Sequence, residues 1–314
     1  MSDVSAVNGA SEGLQLKKID DYEEIKIPVP WGHIAAKWWG SQGVQPIVAL
    51  HGWQDNCGTF DNLAPLLKQK GHSIICIDLP GHGFSSHLPP GHKYYIWWDG
   101  IHYLRRIVQY FKWKDIVILG HSLGGGIAFL YAAAYPKEVK KYISIDLASP
   151  SIRNVKKCCD VLGPAIDKFL SYENLEPDSV PAYPYNVMVD ILQDAHKGSV
   201  SRKGCEILLR RGMLPAKNRD GYCFTRDPRL KLAALGFMTI EQVIELASRI
   251  VCEVMNIKAV HGHKPDVPAH YDLILDTIEN QAKIVQRHVV EGTHHLHLND
   301  GSSVSEIIHN FLVS

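Results

Sequence analysis

Excess charge of one sign, long apolar runs and regularly spaced cysteines are all scarce in this chain of 314 residues. Lys plus Arg number 33 and Asp plus Glu number 33, for a formal net charge of zero. The electrostatic footprint of a nucleic-acid binder, or of a protein drawn to an anionic membrane, is therefore missing. The longest apolar runs, such as Ile116 to Leu119 and Gly124 to Ala134, fall short of the roughly 18 residues a membrane span requires, so stable membrane insertion is not expected. Seven cysteines are an odd number, none stands in a Cys-x-x-Cys spacing, and Cys158 and Cys159 are adjacent. That pattern fits a reducing compartment better than a disulfide scaffold. The first residues, Met1 to Gly13, lack the basic start and apolar centre of a secretory signal, and residues 1–20 are expected to form a disordered tail. The chain ends Leu312-Val313-Ser314, without a peroxisomal tripeptide. The cytosol is the expected address, with a peroxisomal or vesicle-associated one as the alternative.

What is present is an ordinary globular composition, 46% hydrophobic and 9% aromatic. It suffices for one large α/β domain carrying an insertion, or for two domains. Strand-like runs at Glu24 to Pro28 and His33 to Trp39 flank Pro30-Trp31-Gly32 and read as a hairpin. Short apolar runs of the kind buried in parallel sheets follow at Ile47 to Leu50, Ser73 to Asp78, Ile116 to Gly120 and Tyr142 to Asp146. Amphipathic stretches separate them, among them Phe60 to Gln69 and Tyr95 to Trp113. The rhythm stops near Ala148 and resumes at Val254 to His261 and Lys283 to Val290, with helical patterns at Ala269 to Glu279 and Ser302 to Phe311. The intervening stretch, with its Pro/Tyr-rich segment Pro177 to Tyr185 and helical patterns at Glu206 to Arg211 and Thr239 to Arg249, reads as a helical insertion. The expected architecture is a mostly parallel sheet flanked by helices, with a core of residues 21–147 and 251–314 and a helical cap at 148–250. The pair Arg210-Arg211 and the run Lys137 to Lys141 read as solvated surface.

Gly120-His121-Ser122-Leu123-Gly124 is a G-x-S-x-G motif that directly follows an apolar strand and directly precedes a helix-like run. In that setting the glycines let the chain turn sharply and hold the Ser122 hydroxyl out at the strand end, the nucleophile elbow. A serine hydroxyl is a poor nucleophile at neutral pH and needs a base oriented by an acid, in the chain order Ser, acid, His on this architecture. Two carboxylates follow strands, Asp266 and Asp146; chain order favours Asp266, with Asp146 as the alternative. The base belongs in the loop after the last strand, where Gly292-Thr293-His294-His295-Leu296-His297 offers three histidines. Negative charge developing on the substrate needs two converging backbone N–H groups. Leu123, which follows the nucleophile, supplies one, and Trp53, in His51-Gly52-Trp53 after the first parallel strand, supplies the other. His51, Gly52, Trp53 and His121 are thereby expected to border the substrate. Trp97, Trp98 and Tyr183-Pro184-Tyr185 are further candidates for a pocket lining, with core packing as the other reading.

These residues resemble the α/β-hydrolase superfamily, from the hairpin to the final helix. Narrower features are similar to the animal serine hydrolase-like proteins, including the insect kraken type: Val29-Pro30-Trp31-Gly32-His33-Ile34-Ala35-Ala36-Lys37, His51-Gly52-Trp53-Gln54-Asp55-Asn56, Gly81-His82-Gly83-Phe84-Ser85-Ser86-His87, Phe224-Thr225-Arg226-Asp227-Pro228-Arg229-Leu230 and Lys258-Ala259-Val260-His261-Gly262. The resemblance implies a Ser-His-acid hydrolase with a helical cap and no metal or organic cofactor. Its loop pattern Gly-x-His-x-x-His falls on Gly292, His294 and His297 and selects His294 as the base, with His295 as runner-up. The family acid lies three residues after the strand-ending glycine, where this chain has Pro265 and carries Asp266 one later.

Ser122 rather than an aspartate at the elbow disfavours epoxide opening and halide displacement and suits acyl transfer, ester hydrolysis being the broadest reading. The substrate is then a small to medium apolar ester, thioester or lactone, bound by a monomer or homodimer. Two alternatives remain open: a slow or inactive small-molecule binding protein on the same fold, and a lyase or cofactor-independent oxygenase using the same triad. Seventeen histidines invite a metal reading, especially His261 and His263 with His294, His295 and His297. It would leave the serine elbow unexplained, so no metal is expected.

Overall fold

A computed structural model describes residues 21–173, 180–232 and 236–314. The tail expected over residues 1–20, and residues 177–179 of the Pro/Tyr-rich segment, lie outside the described residues. In chain order the first half runs β1 (Tyr22–Val29), β2 (Gly32–Trp39), β3 (Ile47–Leu50), α1 (Ala64–Gln69), β4 (Ile74–Ile77), α2 (Ile96–Phe111), β5 (Ile116–His121), α3 (Leu123–Ala134) and β6 (Val139–Ile145). An inserted stretch follows with α4 (Val155–Glu173), α5 (Tyr185–Ala195), α6 (Arg202–Gly212), the short strands β7 (Met213–Pro215) and β8 (Tyr222–Phe224), and α7 (Ile240–Ala247). The chain then returns to the sheet with β9 (Glu253–His261), α8 (Pro268–Glu279), β10 (Ile284–Thr293), α9 (Leu296–Asn299) and α10 (Ser302–Val313). This is the mostly parallel sheet flanked by helices expected from the strand and helix rhythm, and the α/β-hydrolase fold implied by the resemblance.

Eight strands form one sheet in the order β1-β2-β4-β3-β5-β6-β9-β10. β1, β2 and β4 pair antiparallel at one edge, and β4 to β10 are parallel. The central strands are buried on both faces, as their unbroken apolar runs require. Val48 and Leu50 of β3 face a core built with α2, α3, α7 and α8, whereas Ile47 and Ala49 face a second core under α1 and α10. Because strand side chains alternate, each parallel strand contributes to both cores and needs apolar residues throughout.

The first expected helix is divided. Cys57–Phe60 forms a 3₁₀ turn capped by the Asn56 side chain, and α1 starts only at Ala64, with a proline in its first turn. The inserted stretch holds more helix than its composition signalled. α4 escapes a periodicity reading because Pro164 lies inside it, and α5 starts directly after Pro184.

Two basic groups assigned to solvated surface are buried instead. Arg211 is 2% exposed and donates from Nε and Nη2 to Asp78 at 2.9 and 2.7 Å, with Glu24 as a further partner. A guanidinium can be buried in this way because its planar fork is met by carboxylates on two sides. Lys141 is 3% exposed and is held by the Phe311 carbonyl at 2.6 Å and by Glu253 at 2.8 Å. The Arg211–Asp78 pair pins α6 to the end of β4. Asn56 Nδ2, donating to the Leu208 carbonyl at 2.9 Å, ties the same helix to the loop after β3. Phe224 to Leu230 forms a third tie. Asp227 caps the turn Pro228–Lys231, accepts from the Tyr94 hydroxyl at 2.9 Å and pairs with Arg229, whose Nη1 donates to the carbonyls of Pro89 and His92, each at 2.9 Å.

Candidate active site

Ser122 stands between β5 and α3 with φ 50° and ψ −114°, a left-handed conformation that is strained for any residue with a side chain. Packing enforces the turn. A Cβ on Gly120 would lie 2.3 Å from the Gly124 carbonyl carbon, and one on Gly124 would lie 2.0 Å from the Leu50 carbonyl oxygen. The first turn of α3 is thus pressed against β5 and the end of β3 with no room for a side chain at either glycine. The Gly124 N–H donates to the His51 carbonyl at 3.0 Å, and the Ser122 N–H to the Ile145 carbonyl at 3.1 Å. From Ile118 to Ala133 only Ser122 is not buried.

His294 follows β10 and places Nδ1 2.6 Å from Asp146 Oδ2. Its main chain is fixed beside the elbow, because His121 Nε2, one residue before the serine, donates to the His294 carbonyl at 2.9 Å. The carboxylate on His294 is thus that of Asp146, the alternative acid, at the end of β6, and not that of Asp266, the favoured one. Asp146 itself has φ 55°, and its N–H donates to the Ile257 carbonyl at 2.6 Å. Its buried carboxylate accepts from the Ala259 N–H at 2.8 Å and the His263 N–H at 2.6 Å, besides the imidazole. Gly262 makes this wrapping possible, since a Cβ there would lie 2.2 Å from both Asp146 oxygens. Once the loop has closed on Asp146, it carries Asp266 outward to an exposed position.

His51, His82, His121 and His297 are buried in the packing around His294. His51, expected at the substrate, is fully buried. It accepts at Nε2 from the Leu79 N–H at 3.0 Å, and its Nδ1 contacts the Gly52 carbonyl at 2.7 Å, so it braces the loops after β3 and β4. Burial lowers its pKa and keeps the ring neutral. His121 is likewise fully buried, its pKa pushed well down by burial and by the neighbouring His297, His294 and His295 rings. Both therefore stand behind the site rather than against a substrate. His297, 3.0 Å from the Thr59 hydroxyl, and His82 are each pushed down to about 3, chiefly by burial. His295, the runner-up base, faces away from Asp146: its Nε2 lies 3.2 Å from Asp55 Oδ2, and its Nδ1 lies 2.9 Å from the Ser199 hydroxyl.

Leu123 opens α3, where an N–H has no acceptor within the helix. Trp53 stands in the loop after β3 with its side chain 41% exposed and its indole N–H donated to the Leu230 carbonyl at 2.9 Å. A gap of about 20 Å³ beside Leu123 is lined by Leu79, Tyr103, Ile127 and Leu230. A larger cavity, about 520 Å³, lies on the Asp146 side between Leu147–Asn154 and the segment carrying His263, Asp266 and Tyr271. Of the pocket tryptophans, Trp97 is buried against Gly126 in the core and Trp98 is exposed.

Comparison with known proteins adds the following. A family profile for the alpha/beta hydrolase fold matches residues 45–184. A Drosophila melanogaster protein named "Probable serine hydrolase" is 49% identical over 307 residues, which cover 97% of this chain and 92% of that protein. "Serine hydrolase-like protein 2" of Homo sapiens is 34% identical over 92% of this chain and 93% of its own. Among solved structures, a hypothetical protein from Pseudomonas aeruginosa PAO1 aligns with a TM-score of 0.82 at 29% identity, covering 93% of this chain and 100% of that one. The thioesterase domain from the curacin biosynthetic pathway aligns with a TM-score of 0.76 at 22% identity over 94% and 100%, a likeness of fold.

Proposed function

We propose that this chain, which belongs to the serine hydrolase-like family of α/β hydrolases, hydrolyses carboxylic esters or thioesters of small to medium apolar acyl groups through an acyl-enzyme on Ser122. The observation that carries the reading is the 2.6 Å contact of His294 Nδ1 with Asp146 in a loop that His121 ties to the elbow. With Nδ1–H donated to the carboxylate, Nε2 is the basic nitrogen. His294 takes the Ser122 proton as Oγ attacks the carbonyl and returns it to the leaving alcohol or thiol. A water, deprotonated by the same nitrogen, then releases the acid. The N–H groups of Leu123 and Trp53 receive the oxyanion in both steps. Asp146 supports the imidazolium that forms. Residues 148–250 act as the cap over Ser122, and the Trp53–Leu230 bond is one of its contacts with the core. Seven free thiols fit a cytosolic setting.

Intact-mass labelling of the folded protein with a fluorophosphonate tests this without a guess at the substrate. One adduct on the wild type, absent from Ser122→Ala and from heat-denatured protein, is expected. Labelling that persists in Ser122→Ala, or a folded wild type that takes no adduct while short p-nitrophenyl esters also go unhydrolysed, would sink the proposal and favour a binding protein.

A further inference from the structure

Beside His294 lies a second cluster that the hydrolytic reading does not use. Asp55 lies in the loop after β3, His295 adjoins His294, and His196 caps the C-terminus of α5 in the inserted stretch. We infer that Asp55, His196 and His295 form a binding site for a divalent transition-metal ion of the Zn²⁺ class, which fastens the insertion to the sheet domain.

One ligand atom from each residue lies within 4.8 Å of the others. Asp55 Oδ2 is 3.2 Å from His295 Nε2, and Asp55 Oδ1 is 3.8 Å from His196 Nε2. Ligands at 2.0–2.1 Å in a tetrahedral shell stand roughly 3.3 Å apart. Small side-chain rotations therefore suffice to gather the three around one ion.

An orphaned carboxylate oxygen indicates that something belongs there. Asp55 is 3% exposed, and its Oδ2 meets His295 Nε2 at 3.2 Å. Its Oδ1 nevertheless has no hydrogen-bond donor among the described residues. Nor does His121 Nδ1 have a partner. That ring gives its Nε2–H to His294, so Nδ1 bears a lone pair 3.7 Å from Asp55 Oδ2. A buried carboxylate oxygen without a donor is unfavourable, and a cation held by Asp55, His196 and His295 gives Oδ1 its partner; His121 Nδ1 faces Oδ2, the oxygen that meets His295, and lies outside the three ligands. Arg226 contributes attraction at longer range but no bond to Oδ1. The loop packs directly against both groups because residue 52 is glycine: a Cβ there would stand 2.8 Å from His121 Nδ1 and 3.0 Å from Asp55 Oδ2.

Ligand chemistry selects the class. Two imidazoles and one carboxylate suit Zn²⁺, Co²⁺ or Ni²⁺, whereas Mg²⁺ and Ca²⁺ need oxygen-rich shells. The Ser199 hydroxyl oxygen, 2.9 Å from His295 Nδ1, can accept a hydrogen bond from Nδ1–H, the tautomer that leaves Nε2 free to ligate.

The experiment titrates Zn²⁺ alone into full-length, metal-stripped Ser122→Ala protein by calorimetry, with Co²⁺ absorption as a second readout. Its outcome is thus independent of turnover and of the hydrolase proposal. One equivalent should bind, Co²⁺ should give a tetrahedral visible spectrum, and adding His196→Ala should weaken binding at least roughly ten-fold without loss of fold. His196→Ala is the safe variant because its ring is partly exposed on the insertion; Asp55→Asn is the second. Absence of stoichiometric binding overturns the inference. So does binding that survives both substitutions in folded protein, which would place the ion elsewhere.

Discussion

Two carboxylate–imidazole pairs stand side by side at the C-terminal ends of the parallel strands, and neighbouring residues of one loop supply their histidines. Asp146 holds His294 at 2.6 Å and is wrapped by two backbone N–H groups, one from β9 and one from the turn after it. Asp55 holds His295 at 3.2 Å and leaves an oxygen without a donor among the described residues. The first carboxylate is fully satisfied by the fold and so has a fixed orientation, which is what a group that aligns a base requires. The second is under-supplied, and its surroundings are complete only with a further positive group. Burial and an adjacent histidine are common to both, so backbone donors mark the difference.

The sharpest way to break this comparison is to exchange the acids. Asp146→Asn is expected to lower kcat/KM about a thousand- to ten-thousand-fold on an activated ester, while Asp266→Asn and its exposed side chain leave it within about two-fold. The reverse ranking in steady-state kinetics would return the acid role to Asp266.

Next in size is the effect of acid. His82 and His297 are held down at about 3, and His121 well below its usual range. Each stays neutral in the folded protein while the unfolded chain takes up a proton below about pH 6.5. Stability should therefore be flat above pH 7 and fall from about 6.5 toward 3, each ring contributing up to ~1.4 kcal/mol per pH unit. Urea midpoints measured from pH 8 to pH 4 check this. A midpoint unchanged between pH 7 and 5 would mean that these rings are protonated in the native state.

Gly262→Ala sharpens the comparison from the other side, since its methyl would occupy the space of the Asp146 carboxylate. The acid must shift by about an ångström, and kcat should drop on the order of a hundred-fold with a smaller change in KM. An unchanged kcat would show that wrapping is dispensable. The smallest effect is expected at the other pair. Asp55→Asn keeps the shape and removes a charge, with a loss of about 1–3 kcal/mol in denaturant unfolding of metal-free protein.

Much of the fold was readable from periodicity. The runs at Ile47, Ile74, Ile116 and Val254 are strands buried on both faces, and Gly120 and Gly124 marked the elbow because only close backbone packing calls for them there. His294 was legible from its place after the last strand and from family likeness. Spacing does not single out Asp146. Two aspartates follow strands, and chain order does not reveal which of the two loops closes over the imidazole. Arg211 and Lys141 looked like surface residues because a local charge pattern does not disclose a carboxylate distant in sequence. His51 and His121 are next to functional atoms in sequence, yet their rings point into the packing behind them.

The sequence alone determined the α/β layering, the strained serine and the loop that carries His294, since each rests on contacts between near neighbours and on the repeat of apolar residues. The tertiary structure decided which acid meets His294 and that Asp55 is left short of a donor. It also decided that α6 is anchored by Arg211. Each of these depends on groups brought together from distant parts of the chain, where burial, not spacing, sets the strength of a charge and the need for a partner.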